Sequence, residues 1–224
     1  MGDKRLVAVA MDGPVASGKS VVGKLIAERM GYQFLDTGMM YRAVTWAAIQ
    51  RRTPLDDKGA LEQIVDTITI RLTPSENGER LTVDGKDITD HLRDSQLESS
   101  VSIVAKVSGV RRKLVRDQRE IARRRSIVMV GRDIGTIVLP DAQIKIFLTA
   151  SVNVRAQRRY RELQDKGNQQ TYDRVLDDLR QRDKIDSERK DSPLIVAEDA
   201  LTINTDRYTI QESADKIISL LKIC

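Results

Sequence analysis

With 224 residues, 40% hydrophobic and 32% charged, the chain has enough apolar material for one sizeable core and too much for a disordered segment. Its net charge of +5 comes from 38 basic and 33 acidic residues interspersed along the whole length, which describes a charged surface and not a polycationic tail for nucleic acid. The single cysteine, Cys224, leaves no intrachain disulfide, and no apolar run reaches the roughly eighteen residues of a membrane span or the length of a signal peptide, so a cytoplasmic protein is expected. In chain order, Leu6–Met11 reads as a short buried strand, and Lys19–Met30 as a helix with Val22, Leu25, Ile26 and Met30 on one face and Gly31 as its stop. Further strands are predicted at Gln33–Leu35, Ile127–Val130, Ile144–Leu148 and Leu201–Ile203. Helical patterns separate them at Thr37–Arg51, Lys58–Asp66, Leu97–Arg124, Val152–Lys166, Tyr172–Arg189 and Ile210–Leu221. Such alternation predicts an α/β fold, a parallel sheet with helices on both faces.

One segment breaks the alternation. "TITIRLTPSENGERLTVDGKDIT", residues 67–89, holds period-two runs joined by a Pro-Ser-Glu-Asn-Gly turn and an Asp-Gly turn. An antiparallel meander does not fit inside a parallel sheet, so it is expected as a small inserted lobe.

Gly13-Pro14-Val15-Ala16-Ser17-Gly18-Lys19-Ser20 matches G-x-x-x-x-G-K-[ST] at each fixed position and lies between a predicted strand and a predicted helix. The glycines let the backbone curl so that successive N–H groups face phosphate oxygens, and the following helix offers its positive end to the same charge. Lys19 would reach the β- and γ-phosphates and Ser20 would ligate Mg²⁺, so residues 13–20, with Val21 next, form the candidate ATP site. The loop does not say whether water, a small molecule, a protein or a nucleic acid accepts the phosphoryl group.

If the acceptor is itself a phosphate, fixed cations must neutralise two highly charged groups, and arginine suits this best. The candidates stand at element ends: Arg42, Arg111, Arg132, Arg182 and Arg189, with a separate cluster of Arg158, Arg159 and Arg161 on one helix. Arg132 follows the β-rich run "SIVMV" and a glycine, at the carboxyl end of a predicted parallel strand, where open α/β sheets place ligands. Asp133 beside it fits a surface carboxylate, an ion-pair partner or an acceptor that reads a base. His91, the single histidine, reads as a cap or surface residue, and Met39, Met40 and Trp46 as core.

The pieces "DGPVASGKS", "LDTGMMYRA", "SSVSIVAKVSGVRRKLVRDQR", "VGRDIGTIVLPDAQIKIFLTAS", "RRYRELQDKG" and "LRQRDKIDSERKDSPL" together resemble bacterial cytidylate kinases, a family of nucleoside monophosphate kinases, over nearly the whole chain. The resemblance implies an adenylate-kinase-like phosphate-loop fold of three α/β/α layers, with a five-stranded parallel sheet of order 2-3-1-4-5. It implies a single kinase domain: a core of residues 1–66 and 97–224, a monophosphate-binding lobe at 67–96 and a helical lid at 152–170. The implied reaction is transfer of the γ-phosphoryl of Mg·ATP to CMP or dCMP by a monomer with no nucleic-acid or membrane partner. In such enzymes the residues matching Arg42, Arg132 and Arg189 hold the acceptor phosphate, and those matching Ser102, Arg111 and Asp133 surround cytosine. Those matching Arg182 and Asp186 lie near the sugar, Thr37 lines the monophosphate site, and Arg158 and Arg159 belong to the lid that closes over ATP. With Lys19 and Arg132, these two lid arginines form the implied catalytic set. The chain departs from several members at Val15, where they have serine, and at Val130, where they have an acidic residue; Asp12 and Asp133 are then the acidic residues nearest a metal-supporting position. Two rival readings are a kinase for another monophosphate or a small metabolite, and a nucleotide-dependent RNA-binding module.

Overall fold

A computed structural model of the protein describes residues 6–75 and 78–221. In chain order they form β1 (Ala8–Asp12), α1 (Lys19–Met30), β2 (Gln33–Asp36), α2 (Thr37–Gln50), α3 (Lys58–Thr67), β3 (Ile70–Ser75), β4 (Gly78–Val83) and β5 (Lys86–Asp87). After a 3-10 turn (Thr89–Arg93) come α4 (Ser95–Val104), α5 (Ser108–Ala122), β6 (Ile127–Val130), a π-helical turn (Ile134–Val138), β7 (Ile144–Thr149), α6 (Val152–Asp165), α7 (Tyr172–Glu188), β8 (Leu201–Asn204) and α8 (Ile210–Leu221). None of these helices is long and apolar enough to cross a membrane. The chain divides into two units, Met1–Leu35 with Ile121–Cys224, and Asp36–Glu120. Cys224 lies outside the described residues.

The first unit is built on a sheet of order β2-β6-β1-β7-β8, which is 2-3-1-4-5 when only its own strands are counted, as expected. The strands β6, β1, β7 and β8 pair in parallel, with Met11 opposite Val130, Val9 opposite Ile144, and Leu148 opposite Ile203. The pleat sends Val9 and Met11 to one face, where they meet Val22, Ile26 and Ala27 of α1 and Ala214 and Ile217 of α8. Val22 and Ile26 are almost wholly buried there, which is worth about 2 kcal/mol each, and this anchors the helix that follows the phosphate loop. Gly31 ends α1 in a left-handed turn (φ 66°), and Tyr32 N donates back to Ala27 O at 2.9 Å. Val130, where the resemblance led to an acidic residue being expected, belongs to this apolar face; a Cβ on Gly23 of α1 would lie 2.7 Å from its Cγ1.

The second unit contains the meander. Strands β3, β4 and β5 run antiparallel, with Leu72 opposite Leu81 and Val83 opposite Lys86. The predicted Asp-Gly turn joins β4 to β5 with positive φ at both Asp84 (50°) and Gly85 (81°), the backbone that suits a two-residue hairpin. The other predicted turn includes Glu76 and Asn77, which lie outside the described residues. Helix α2 is buried along Met40, Ala43, Val44, Trp46, Ala47 and Ala48, and α3 and α4 pack against it. Met40 and Trp46 are therefore core, Met39 is half-buried, and His91 is exposed beside Asp94 (3.2 Å).

The long helix expected over Leu97–Arg124 is two helices. Lys106 N and Val107 N donate to Ile103 O and Val104 O in a tight three-residue pattern that closes α4 (3.1 Å each). Gly109 N then donates to Glu62 Oε1 of α3 at 2.9 Å, so a carboxylate from another element supports the first turn of α5. A Cβ on Gly109 would lie 2.1 Å from Glu62 Cδ, so any larger residue there would push the Glu62 side chain aside and break this support.

Candidate functional site

The phosphate loop begins where the central strand β1 ends. Gly13 has φ 145°, and a Cβ on it would lie 2.0 Å from Leu148 O of the neighbouring strand, so both backbone shape and space demand glycine. Gly18 (φ 96°) turns the chain into α1, and Val22 N closes the first helical bond to Gly18 O at 3.0 Å. Ala16 holds a left-handed conformation (φ 59°) that costs a residue with a Cβ about 1 kcal/mol. No side chain among the described residues hydrogen-bonds to cap α1, as suits a helix start that receives an anion. Lys19 is buried and folds back over the loop, donating through Nζ to Pro14 O (2.7 Å) and Ser17 Oγ (3.3 Å). Below the loop the Thr205 hydroxyl stands 3.1 Å from Ser17 O and 3.2 Å from Thr149 O, and accepts from Arg158 Nη1 at 2.9 Å.

Arginines and carboxylates alternate in a second cluster of the first unit. Arg132, just beyond β6, donates through Nε to Asp186 Oδ2 of α7 at 2.8 Å. Asp133 faces Arg189, the residue that caps α7, at 3.7 Å, and Arg189 Nε also donates to Ser192 O at 2.5 Å. Arg182 precedes Asp186 by four residues on α7 and acts on its charge. Burial alone would raise the Asp186 carboxyl, but the guanidinium groups of Arg132, Arg189 and Arg182 outweigh it and hold the group below the usual carboxylate range. Four of the sequence-predicted acceptor residues, Arg132, Asp133, Asp186 and Arg189, are thus joined in two ion pairs, with Arg182 adjoining.

Asp12, at the end of β1, is 4% exposed and accepts from Ile134 N and Gly135 N, one with each carboxylate oxygen, both at 2.8 Å. Burial pushes its pKa up to about 6 despite those two bonds and nearby Lys19, and the charge of Asp133 adds to the rise. Neither Asp12 nor Asp133 is therefore an uncommitted metal ligand, and no group of three or more His, Cys, Asp or Glu side chains among the described residues could hold an ion. Ser20, exposed at the first turn of α1, has a hydroxyl oxygen of the kind that suits Mg²⁺ carried mainly by phosphates and water.

The arginines expected in a lid are placed differently from one another. Arg158 gives both terminal nitrogens to Thr205, Nη1 to Oγ1 (2.9 Å) and Nη2 to the carbonyl (2.8 Å), and so braces the loop from beneath. Arg159 pairs with Glu162 at 2.8 Å, and Arg161 is exposed. The α6 arginine that touches the phosphate loop is one that sequence reasoning missed. Arg155, 5% exposed, donates to Ala150 O (3.1 Å), to Val15 O (3.2 Å) and, through two parallel bonds, to Asp183 of α7 (3.1 and 2.6 Å). Its signal was periodicity, because Val152, Arg155, Ala156, Arg159 and Leu163 share one helical stripe. The Val15 side chain packs on the apolar cluster of Ala156, Leu163, Val175 and Leu179 from α6 and α7.

In the second unit, Thr37 is buried at the start of α2, which Asp36 caps by accepting from Gly38 N at 3.0 Å. Arg42 lies one turn on, its Nη1 3.0 Å from where a Cβ on Gly38 would be. Arg111 is buried with its guanidinium carbon 5.4 Å from the centroid of the Tyr41 ring and donates to Ala105 O at 3.3 Å. Ser102 is buried on α4, which packs against α2.

A central strand leading through a glycine loop to a helix, in a parallel sheet of this order, defines the phosphate-loop class of nucleotide-binding proteins. Shikimate kinase from Bacteroides thetaiotaomicron has a similar fold, with TM-score 0.50 and 14% identity over 96% of this chain and 98% of that one. The family profile "Cytidylate kinase" matches residues 9–223. The chain is 45% identical over 215 residues to a cytidylate kinase of Bacillus pumilus (strain SAFR-032), covering 96% of each, and 44% identical over 219 residues to that of Bacillus subtilis (strain 168), covering 98% of each. The chain belongs to the cytidylate kinase family.

Proposed function

We propose that this protein transfers the γ-phosphoryl group of ATP to CMP or dCMP, giving ADP and CDP or dCDP. The observation that carries the reading is the joint presence of a complete phosphate loop and the Arg132–Asp186 and Arg189–Asp133 pairs, in a chain of this family. The loop amides and Lys19 grip the donor's phosphates. Arg132, Arg189 and Arg42 neutralise the acceptor phosphate, Asp133, Arg111 and Ser102 read cytosine, and Arg182, Asp186 and Thr37 complete the acceptor site. Ser20 would hold the Mg²⁺ that accompanies the nucleotide, and the ion would supply positive charge to the donor's phosphates. Arg158 and Arg159 act from the lid on the migrating group; in this structure Arg158 braces Thr205 and Arg159 pairs with Glu162. Residues 67–96 serve as the monophosphate lobe and 152–170 as the lid.

Such transfer needs positioning and charge neutralisation, not a protein nucleophile, and the acceptor oxygen is already ionised near neutral pH. ADP release from Mg·ATP with CMP, dCMP, UMP, AMP and GMP in turn tests the reading. Preference for CMP and dCMP is expected; activity with AMP or GMP alone overturns it.

A further inference from the structure

Gly131 N donates to Met11 O at 2.9 Å, and Ile134 N and Gly135 N donate to the Asp12 carboxylate. Between these two attachments to β1 lie only Arg132 and Asp133, the residues assigned above to the acceptor's phosphate and base. Met11 and Asp12 immediately precede Gly13, where the phosphate loop starts. The last two residues of β1 and the glycine that follows therefore link the loop that holds the donor to the segment that meets the acceptor.

The chemistry at Asp12 is specific. Two adjacent backbone N–H groups at the start of the π-helical turn face the same way, and Ile134 and Gly135 are buried, so protein groups must satisfy these donors. A carboxylate accepts both with its two oxygens; an amide side chain accepts one and turns a donor toward the other. Asp133, the residue before the turn, takes φ −144° and ψ 27°. Its backbone, and with it the direction of its side chain toward Arg189, is set by where Asp12 holds the next two residues.

We propose that Asp12 is a positioning residue of the acceptor site: its carboxylate sets the conformation of residues 131–135 and through it the aim of Arg132 and Asp133. The proposal rests on the assignment of those two residues to the acceptor nucleotide. With Asp12→Asn in the full chain, calorimetry is expected to show CMP binding weakened about ten- to a hundredfold, the worth of one charge-assisted hydrogen bond. Preference for CMP over UMP narrows, while ATP affinity stays within about threefold. Equal weakening of ATP and CMP, or unchanged CMP affinity, overturns the proposal. Arg132→Met, measured alongside, separates the two levels. If it leaves CMP affinity intact, the acceptor assignment fails and this proposal with it; if it weakens CMP binding while Asp12→Asn does not, only the role of Asp12 fails. Should Asp12→Asn not accumulate as folded protein, hydrogen exchange in the unsubstituted chain decides. Slow exchange of the Ile134 and Gly135 amides is expected with and without CMP, and rapid exchange without it overturns the proposal.

Discussion

Arg155 and Asp183 meet in two parallel hydrogen bonds of 3.1 and 2.6 Å, and the same guanidinium reaches Val15 O at 3.2 Å. A residue of α6 is thereby tied at once to α7 and to the phosphate loop. Truncation leaves Asp183, whose side chain is 26% exposed, without its fork, and the Val15 carbonyl without a donor. Arg155→Met is therefore expected to lower unfolding free energy by about 2–3 kcal/mol in denaturant titrations, below the full cost of breaking a wholly buried pair. It should also raise KM for ATP more than KM for CMP. A stability change below about 0.5 kcal/mol would show that the contact is incidental.

Lys19→Ala removes the ammonium that lies across the phosphate loop. Turnover is expected to fall at least about a hundredfold, the usual consequence of losing a preorganised donor at a phosphoryl-transfer site. Steady-state ADP release checks this; turnover within about fivefold of the parent takes Lys19 out of the mechanism.

Gly13→Ala would place a methyl group 2.0 Å from Leu148 O at a φ of 145°. Backbone of the central sheet cannot yield that distance cheaply, so a loss of about 3 kcal/mol or more in stability is expected, together with loss of ATP binding. Thermal melting with and without ATP measures both. A variant that melts like the parent would contradict the loop geometry.

Asp12 and Asp186 should impose opposite pH dependences on stability. The folded pKa of Asp186 lies below its unfolded value, so its contribution is present at neutral pH and is lost as pH falls through the folded pKa. Asp12, pushed up from 3.8 to about 6, keeps a proton in the folded state that the unfolded chain releases earlier, so its contribution falls as pH rises through that window. From about pH 4.5 to about pH 7.5, the stability of the parent relative to Asp12→Asn is expected to fall by about 2 kcal/mol. Chemical denaturation of both proteins across that range is the check, and a constant difference between them counts against a raised Asp12.

What could be foreseen depended on how local the physics is. The phosphate loop was legible because strand, glycines and helix are contiguous, and the Asp-Gly turn because two residues suffice to dictate positive φ. The break between α4 and α5 was not, since the carboxylate that supports α5 comes from Glu62, 47 residues before Gly109. The π-helical turn after Asp133 escaped for the same reason: its cap, Asp12, stands 122 residues before Ile134. Arg132 and Asp133 could be picked out at a strand end, but not their ion-pair partners' geometry, which depends on where α7 runs. Arg155 was passed over because an arginine on a helix reads as solvated, although its place on the stripe with Ala156 and Leu163 pointed inward.

Thr205 joins the carbonyl of Ser17 to that of Thr149 and receives Arg158, across 188 residues of chain between Thr205 and Ser17. The loop that precedes α1 is thus braced by a residue that immediately follows β8. The glycine motif is therefore complete in the sequence before β8, whereas the support of its Ser17 carbonyl is not.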